Sequence, residues 1–335
     1  MNRYLTFDDV LIVPKYSEVD SRKAVSLTTS IAYSDVNVIA LPIISANMES
    51  VTDAAMCRHM YNLGGVGCLH RYMSVEDNVA NAKALIREGI FFIASIGAKD
   101  FIRFDSLYKA GVRHYCIDMA HGHCLAMKEM IYKVKRAGAY VIAGNIATAN
   151  AALDLKSWGA DMVKVGIGPG GACTTREQTG IGVPQLSALM EIAKTRVPFI
   201  ADGGCRKPGD VAKALATGAR FVMLGSMLAG CDESPAPLKQ EFICSYPRGY
   251  MRDAGKVYKG SASQNNESYK TEEGVEVCIP STGPLIKTLN NIAGGVRSAM
   301  SYVGASNLEE FVKNAEFIEI TSNAYLEGKP HARNL

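Results

Sequence analysis

The stretch VPFIADGGCRKPGDVAKALATGARFVMLGSM, residues 197–227, decides how this chain folds. It opens on a short apolar run that ends in Asp202, Gly203 and Gly204. A helical pattern then starts at Lys207-Pro208 and stops at Gly218. A second apolar run, RFVMLGSM, follows at 220–227. Neither run alternates apolar with polar residues, so each reads as a strand buried on both faces, the pattern of a parallel sheet. Parallel strands need a crossover connection, and the helical pattern between the runs supplies one.

The same unit recurs toward the N-terminus. Apolar runs lie around 37–45 and at 64–70 (GGVGCLH), 90–97 (IFFIASIG), 113–120 (RHYCIDMA), 139–146 (AYVIAGNI) and 161–168 (DMVKVGIG). Between them stand the helical patterns VEDNVANAKALIREG, LAMKEMIYKVKRAG and ANAALDLKSWG, each opened near a polar capping residue and closed by Gly. Eight such strand–helix units imply an α/β chain folded as a (β/α)8 TIM barrel. An open doubly wound sheet is the competitor; the even spacing and the lack of GxGxxG after the first strand favour the barrel. Beyond about residue 231 the repeat stops, and the polar segment 232–285 reads as a functional lid or disorder. IKTLNNIAGGVRSAMSYV, 286–303, reads as helix again and forms a C-terminal extension packed on the barrel. Residues 1–335 are expected to form a single catalytic domain with a mobile flap at about 245–280.

Composition narrows the classes. The chain has 335 residues, 48% apolar and 21% charged, which excludes disorder, collagen and coiled coil. A net charge of +3 without a Lys/Arg run implies no nucleic-acid partner. No run of about 18 apolar residues exists for a membrane span, and the N-terminus lacks the apolar core of a secretory signal. Nine cysteines at irregular spacings, with no CxxC pair, read as free thiols in a reducing cytosol.

In a barrel the chemistry sits at the C-terminal ends of the strands. Those ends carry Asn47, His70 and Arg71, Gly97, Asp118, Asn145, the 166–176 loop, Asp202–Gly204 and Gly225–Ser226. Gly203, Gly204 and Gly225 leave room for a phosphate to approach backbone N–H groups; the plainer reading is tight turns. The loop GIGPGGACTTREQTGIGVPQ, 166–185, surrounds Cys173 with glycine. Such backbone offers carbonyls to a cation and N–H groups to an anion. Arg176 nearby would favour the Cys173 thiolate and make it a nucleophile; the competing reading is an inert small hydrophobe.

The run GIGPG-x-x-CTTR, with the downstream GVPQLSA, DGG, GDVAKAL, VMLGSMLAG and GGVRSAMSYVGAS, resembles the IMP dehydrogenase / GMP reductase family. The likeness runs from LTFDDVLIVP to about Phe317. It implies a barrel whose cysteine adds to C2 of a purine ribonucleotide as a covalent thioimidate, hydride transfer between C2 and a nicotinamide, and K+ held by carbonyls of the cysteine loop. Splitting one hard substitution into two steps is what covalent catalysis does.

The resemblance also separates two branches. The dehydrogenase hydrolyses the intermediate with an Arg-Tyr pair on its flap; the reductase removes ammonia first and uses a Thr–Glu relay with NADPH. Here the flap reads VYKGSASQNNESYKTEEGVEV, 257–277, with Gln264 and Asn265 where the pair would stand. Asn47 before Met48, the Ser21-Arg22 pair and the lack of a CBS insertion point the same way. LTFDDVLIVP and Ser226 are dehydrogenase-like. Gly171 and Ala172 depart from both branches, which carry Ser and then Ile or Val before the cysteine.

Carried over residue by residue, the resemblance implies a nucleophile at Cys173 and a proton relay of Thr175 and Glu273, with Glu272 as the adjacent alternative. It assigns Asp202 to the nucleotide ribose and Gly203, Gly204, Gly225 and Ser226 to the 5′-phosphate. Gly249, Met251, Lys270 and Gly274 complete the substrate set. Ser21, Arg22, Arg71, Asp118, Met119 and Ala120 would hold NADPH, with Ser298 and Ser301 reaching a cofactor on a neighbouring subunit. Carbonyls of Gly168, Gly170, Cys173 and Arg176 would hold K+. A shared cofactor site implies a homotetramer or an octamer. His121 and His123 look like a metal pair without a third ligand and are read as structural. The expected activity is GMP reduction in purine salvage in the cytoplasm. The alternatives are a short IMP dehydrogenase and a nucleotide-binding protein without turnover.

Overall fold

A computed structural model describes residues 3–31, 38–243, 250–260 and 271–330, of which 241–243 and 250–254 as backbone only. Eight parallel strands close a barrel: β1 (Ile43–Ser45), β2 (Val66–Leu69), β3 (Phe92–Ile96), β4 (His114–Asp118), β5 (Tyr140–Ile146), β6 (Met162–Val165), β7 (Phe199–Asp202) and β8 (Phe221–Leu224). β8 pairs with β1, Val222 opposite Ile43 and Leu224 opposite Ser45, so no sheet edge is left open. That closure excludes the doubly wound sheet. The strands lack alternation because one face fills the barrel interior and the other packs under helices.

The crossovers are α1 (Ala54–Asn62), α2 (Val75–Arg87), α3 (Phe101–Lys109), α4 (Leu125–Arg136), α5 (Ala149–Ser157), α6 (Thr175–Thr179), α7 (Gln185–Ala193) and α8 (Pro208–Ala216), and the short α9 (Ser226–Ala229) follows β8. Capping residues start several of them. Asp53 accepts from the Met56 N–H at 2.8 Å, and Ser74 from the Asp77 N–H at 3.0 Å. Such caps satisfy backbone donors that the first helical turn leaves orphaned.

Two stretches fold differently from their sequence reading. The run around 37–45 is two elements. Val38–Ile39 pairs antiparallel with Thr29–Ser30, and the barrel strand begins only after Pro42. Pro42 has no N–H to give a ladder, although its carbonyl accepts from Val222 at 2.9 Å. The polar segment after 231 carries its own antiparallel sheet, β9 (Leu238–Ile243), β10 (Tyr250–Lys259) and β11 (Glu276–Ile279). Lys256 of β10 anchors this sheet by donating to the carbonyls of Cys231, Asp232 and Ser234 at 2.6, 3.0 and 2.7 Å.

The helical tail is α10 (Leu285–Tyr302), whose first N–H donates to Glu233 Oε2 at 2.7 Å. Farther on, Phe317–Glu319 returns to pair antiparallel with Val10–Ile12 and ties the two ends together. No disulfide joins the described cysteines. Among the described residues no helix is long and apolar enough to cross a membrane.

Candidate active site

A cavity of about 460 Å3 opens at the C-terminal ends of the strands. Cys173 and Thr175 line it from the loop after β6, Asp202–Gly204 from the end of β7, and Gly225–Ser226 from the end of β8. Asn47, Arg71, Asp118, Met119, Ala120 and Asn145 complete the far wall. Glu273 and Tyr258 close it from the flap side.

The Cys173 thiol stands 3.1 Å from the Thr175 hydroxyl, close enough to share a proton. The Glu273 segment is laid against the cysteine loop as an added strand. The Thr174 N–H donates to the Glu273 carbonyl at 2.9 Å, and the Val275 N–H to the Ala172 carbonyl at 2.9 Å. Gly274 forms an antiparallel bridge with Cys173. These backbone contacts bring Glu273 to the wall of the cavity that Cys173 and Thr175 line, although nearly 100 positions separate Thr175 from Glu273.

Arg176 staples the loop from beneath. Its guanidinium donates to the Val183 carbonyl at 2.6 Å and to the Ile167 carbonyl at 3.3 and 3.4 Å. Its donors thus go to backbone carbonyls rather than to the thiol. Gly166, at φ +150, is required where it stands, because a Cβ would lie 2.0 Å from the Asp202 carbonyl. Gly225 is likewise closed in, since a Cβ there would lie 2.6 Å from the Tyr258 hydroxyl.

The floor of the cavity is a chain of charges. Lys164 of β6 donates to Asp118 Oδ1 at 2.9 Å, to Asp202 Oδ2 at 2.6 Å and to Asn145 Oδ1. Asn145 donates in turn to Asp202 Oδ2 at 2.9 Å and to the Gly166 carbonyl at 2.6 Å. Burial pushes the Asp118 carboxyl up, but Lys164, with Arg71 and Asn47 behind it, outweighs burial and holds it below the usual range. Burial likewise works against the Lys164 cation, and the two carboxylates overcome it and raise it well above its ordinary value. The Tyr258 phenol is pushed up chiefly by burial, with Asp202 and Cys173 adding to it, so it stays protonated.

Most residues singled out in the sequence meet here. Ser21, Arg22, Ser298 and Ser301 do not line this cavity. Arg22 donates to the Tyr302 hydroxyl at 3.2 Å, which brings the Ser21 turn onto α10 near Ser298 and Ser301. Both of those serines donate to carbonyls of their own helix. Met251 pairs with Phe242 in the flap sheet. Gly249, Gln264, Asn265 and Lys270 lie outside the described residues. His123 pairs with Asp154 at 2.8 Å, and its ring lies beside Trp158.

Lys164 and Tyr258 line the cavity and were not singled out in the sequence. Lys164 had a signal: it is the lone charge in MVKV, and a charge in a strand buried on both faces must be paired. Tyr258 had none, since only the flap sheet turns it toward Gly225.

The profile of the IMP dehydrogenase / GMP reductase domain matches residues 4–331. A GMP reductase of Enterobacter sp. (strain 638) is 38% identical over 333 residues, covering 94% of this chain and 94% of the relative. GMP reductase 2 of Mus musculus is 36% identical over 332 residues, covering 95% and 94%. An inosine-5′-monophosphate dehydrogenase of Cryptosporidium parvum is 34% identical over 387 residues, covering 98% and 94%. With the match spanning the barrel, the cysteine loop and the flap together, the chain belongs to the IMP dehydrogenase / GMP reductase family of oxidoreductases.

Proposed function

We propose that this chain is an NADPH-dependent GMP reductase that converts GMP to IMP and ammonia as a single catalytic unit. The observation that carries the reading is the Cys173–Thr175 pair at 3.1 Å with Glu273 facing the same cavity. A hydroxyl poised by a carboxylate moves protons without a fixed cation beside it. The flap supports the same branch, since Gln264 and Asn265 cannot act as an arginine-backed base.

In this reading Cys173 gives up its proton as its sulfur bonds to C2 of GMP. The exocyclic amine leaves as ammonia, taking a proton returned through Thr175 and Glu273. The nicotinamide supplies hydride to C2 when bound. The S–C2 bond then breaks, its electron pair returns to sulfur, and IMP departs. Asp202 accepts from the ribose hydroxyls of the nucleotide, and Asp118 from those of the dinucleotide. Tyr258, kept protonated, serves as a donor beside Gly225. The loop's oxygen-only donor set suits a monovalent cation such as K+, which the carbonyls of Gly168, Gly170 and Cys173 would hold. The Arg176 carbonyl, in addition, accepts from the Gly180 N–H at 3.0 Å. A homotetramer accords with Ser298 and Ser301 lying away from the cavity, where a neighbour's cofactor would find them; Ser21 and Arg22 stand beside that helix and not at the cavity that Arg71 and Asp118 line.

The second reading is a short IMP dehydrogenase, favoured by the Cryptosporidium parvum relative, of which the match covers 94%. A turnover assay with K+ present separates the two. GMP with NADPH should consume NADPH and release ammonia. Formation of NADH from IMP and NAD+ instead would move the assignment to the dehydrogenase.

A further inference from the structure

Lys164 is a buried cation that the reaction as written does not use. It is 2% exposed, yet it lines the cavity. A structural ion pair needs one carboxylate, whereas this ammonium holds two, one from the adjacent strand β7 and one from β4, which lies beyond β5 on the other side. It takes Oδ1 of Asp118 and Oδ2 of Asp202. Both carboxylates also line the cavity, and Asn47 adds a side-chain hydrogen bond to Asp118. Asn145 locks the arrangement: its amide donates to Asp202 and Gly166, which turns its own oxygen toward Nζ.

We infer that Lys164 is a positioning residue shared by the two ligand sites, setting the orientation in which Asp202 meets the nucleotide ribose and Asp118 the dinucleotide ribose. The inference rests on the proposed reading for which ligand takes which carboxylate. A ribose presents two adjacent hydroxyl donors, and the direction of a carboxylate decides whether both are met. One ammonium fixes both directions and the distance between them. Hydride transfer depends on that distance, because a misplacement of about 1 Å costs ~100-fold in rate. Without Lys164, Asp118 keeps Arg71 as its neighbouring cation, while the Asp202 carboxylate keeps, among the described residues, the amide of Asn145.

The test is direct binding of each ligand alone: IMP by calorimetry, and NADPH and NAD+ by fluorescence or calorimetry. IMP alone undergoes no turnover and is a ligand of either branch, so failure of the reductase reading would show as a preference for NAD+, independent of the Lys164 result. Lys164→Met should weaken both IMP and the dinucleotide by about tenfold or more, the size of a charge-assisted hydrogen bond. Asp202→Asn should weaken IMP alone, and Asp118→Asn the dinucleotide alone. A merely structural lysine would not link two ligands in this way. Weakening of only one ligand by Lys164→Met, or of neither, overturns the inference. If Lys164→Met fails to fold, the pair Lys164→Met/Asp118→Asn removes one buried charge of each sign. That pair should bind IMP about tenfold less tightly than Asp118→Asn alone; equal affinity overturns the inference.

Discussion

The Arg176 guanidinium and the Val183 carbonyl stand 2.6 Å apart, and this contact turns a glycine-rich loop into a fixed platform for Cys173. The same guanidinium reaches back to Ile167, so it clamps both arms of the loop. Arg176→Met removes a charged donor from the part-buried carbonyls of Ile167 and Val183. The thiol should then wander, with kcat falling about 100-fold while IMP still binds. Steady-state kinetics beside the rate of Cys173 alkylation would check it; unchanged kcat would show that the clamp does not position the thiol.

The Thr175 and Glu273 relay makes a different demand. Glu273→Gln keeps the shape of the flap strand, since that strand is held through backbone contacts to Thr174 and Ala172. It removes the base. Ammonia release should slow by ~100-fold to 10,000-fold, the usual worth of a positioned acid–base group. Hydride transfer, followed on its own by mixing enzyme with IMP and NADP+ in the reverse direction, should slow less. Equal losses in both steps would remove Glu273 from the proton path.

How far the sequence reveals this site depends on where each residue's signal is local. The eight barrel strands are legible because burial on both faces leaves continuous apolar runs. Cys173 is legible because glycines surround it. The flap sheet is not, because antiparallel strands with one face in solvent carry weak patterns, and β10 and β11 pair across the polar stretch 261–275. Lys164 is half legible: its charge is conspicuous in MVKV, but its partners Asp118 and Asp202 come from other strands. The split of the 37–45 run turns on Pro42, which marks a break in pairing without saying on which side the barrel begins.

Gly171 offers a gain rather than a loss. A Cβ placed there would meet Ser226 Oγ at 3.5 Å and Cβ at 3.6 Å, ordinary contact distances. A serine therefore fits, and its hydroxyl would face the place assigned to the 5′-phosphate. Gly171→Ser should tighten IMP binding by roughly threefold to tenfold, the net value of one hydrogen bond, and leave binding of the dinucleotide alone unchanged. Weaker IMP binding would mean that the glycine is needed for loop conformation instead.

Asp118 gives the protein a defined acid response. Its carboxyl is held below the usual 3.8: burial raises it, and Lys164 with Arg71 more than reverses that. A carboxylate whose folded pKa is depressed contributes stability above its unfolded pKa and loses it as pH falls through the folded value. The contribution of Asp118 should therefore be constant from pH 7 down to pH 5, by roughly one unit clear of the unfolded carboxyl. It should shrink only below about 3.8. Urea unfolding of the wild type and of Asp118→Asn over that range measures it, since Asn keeps the shape and loses the charge. Lys164 stays paired with Asp202 in the variant, so the fold has a remaining anion for its buried cation. A stability difference that already changes between pH 7 and pH 5 would mean that Lys164 does not hold the Asp118 carboxyl down.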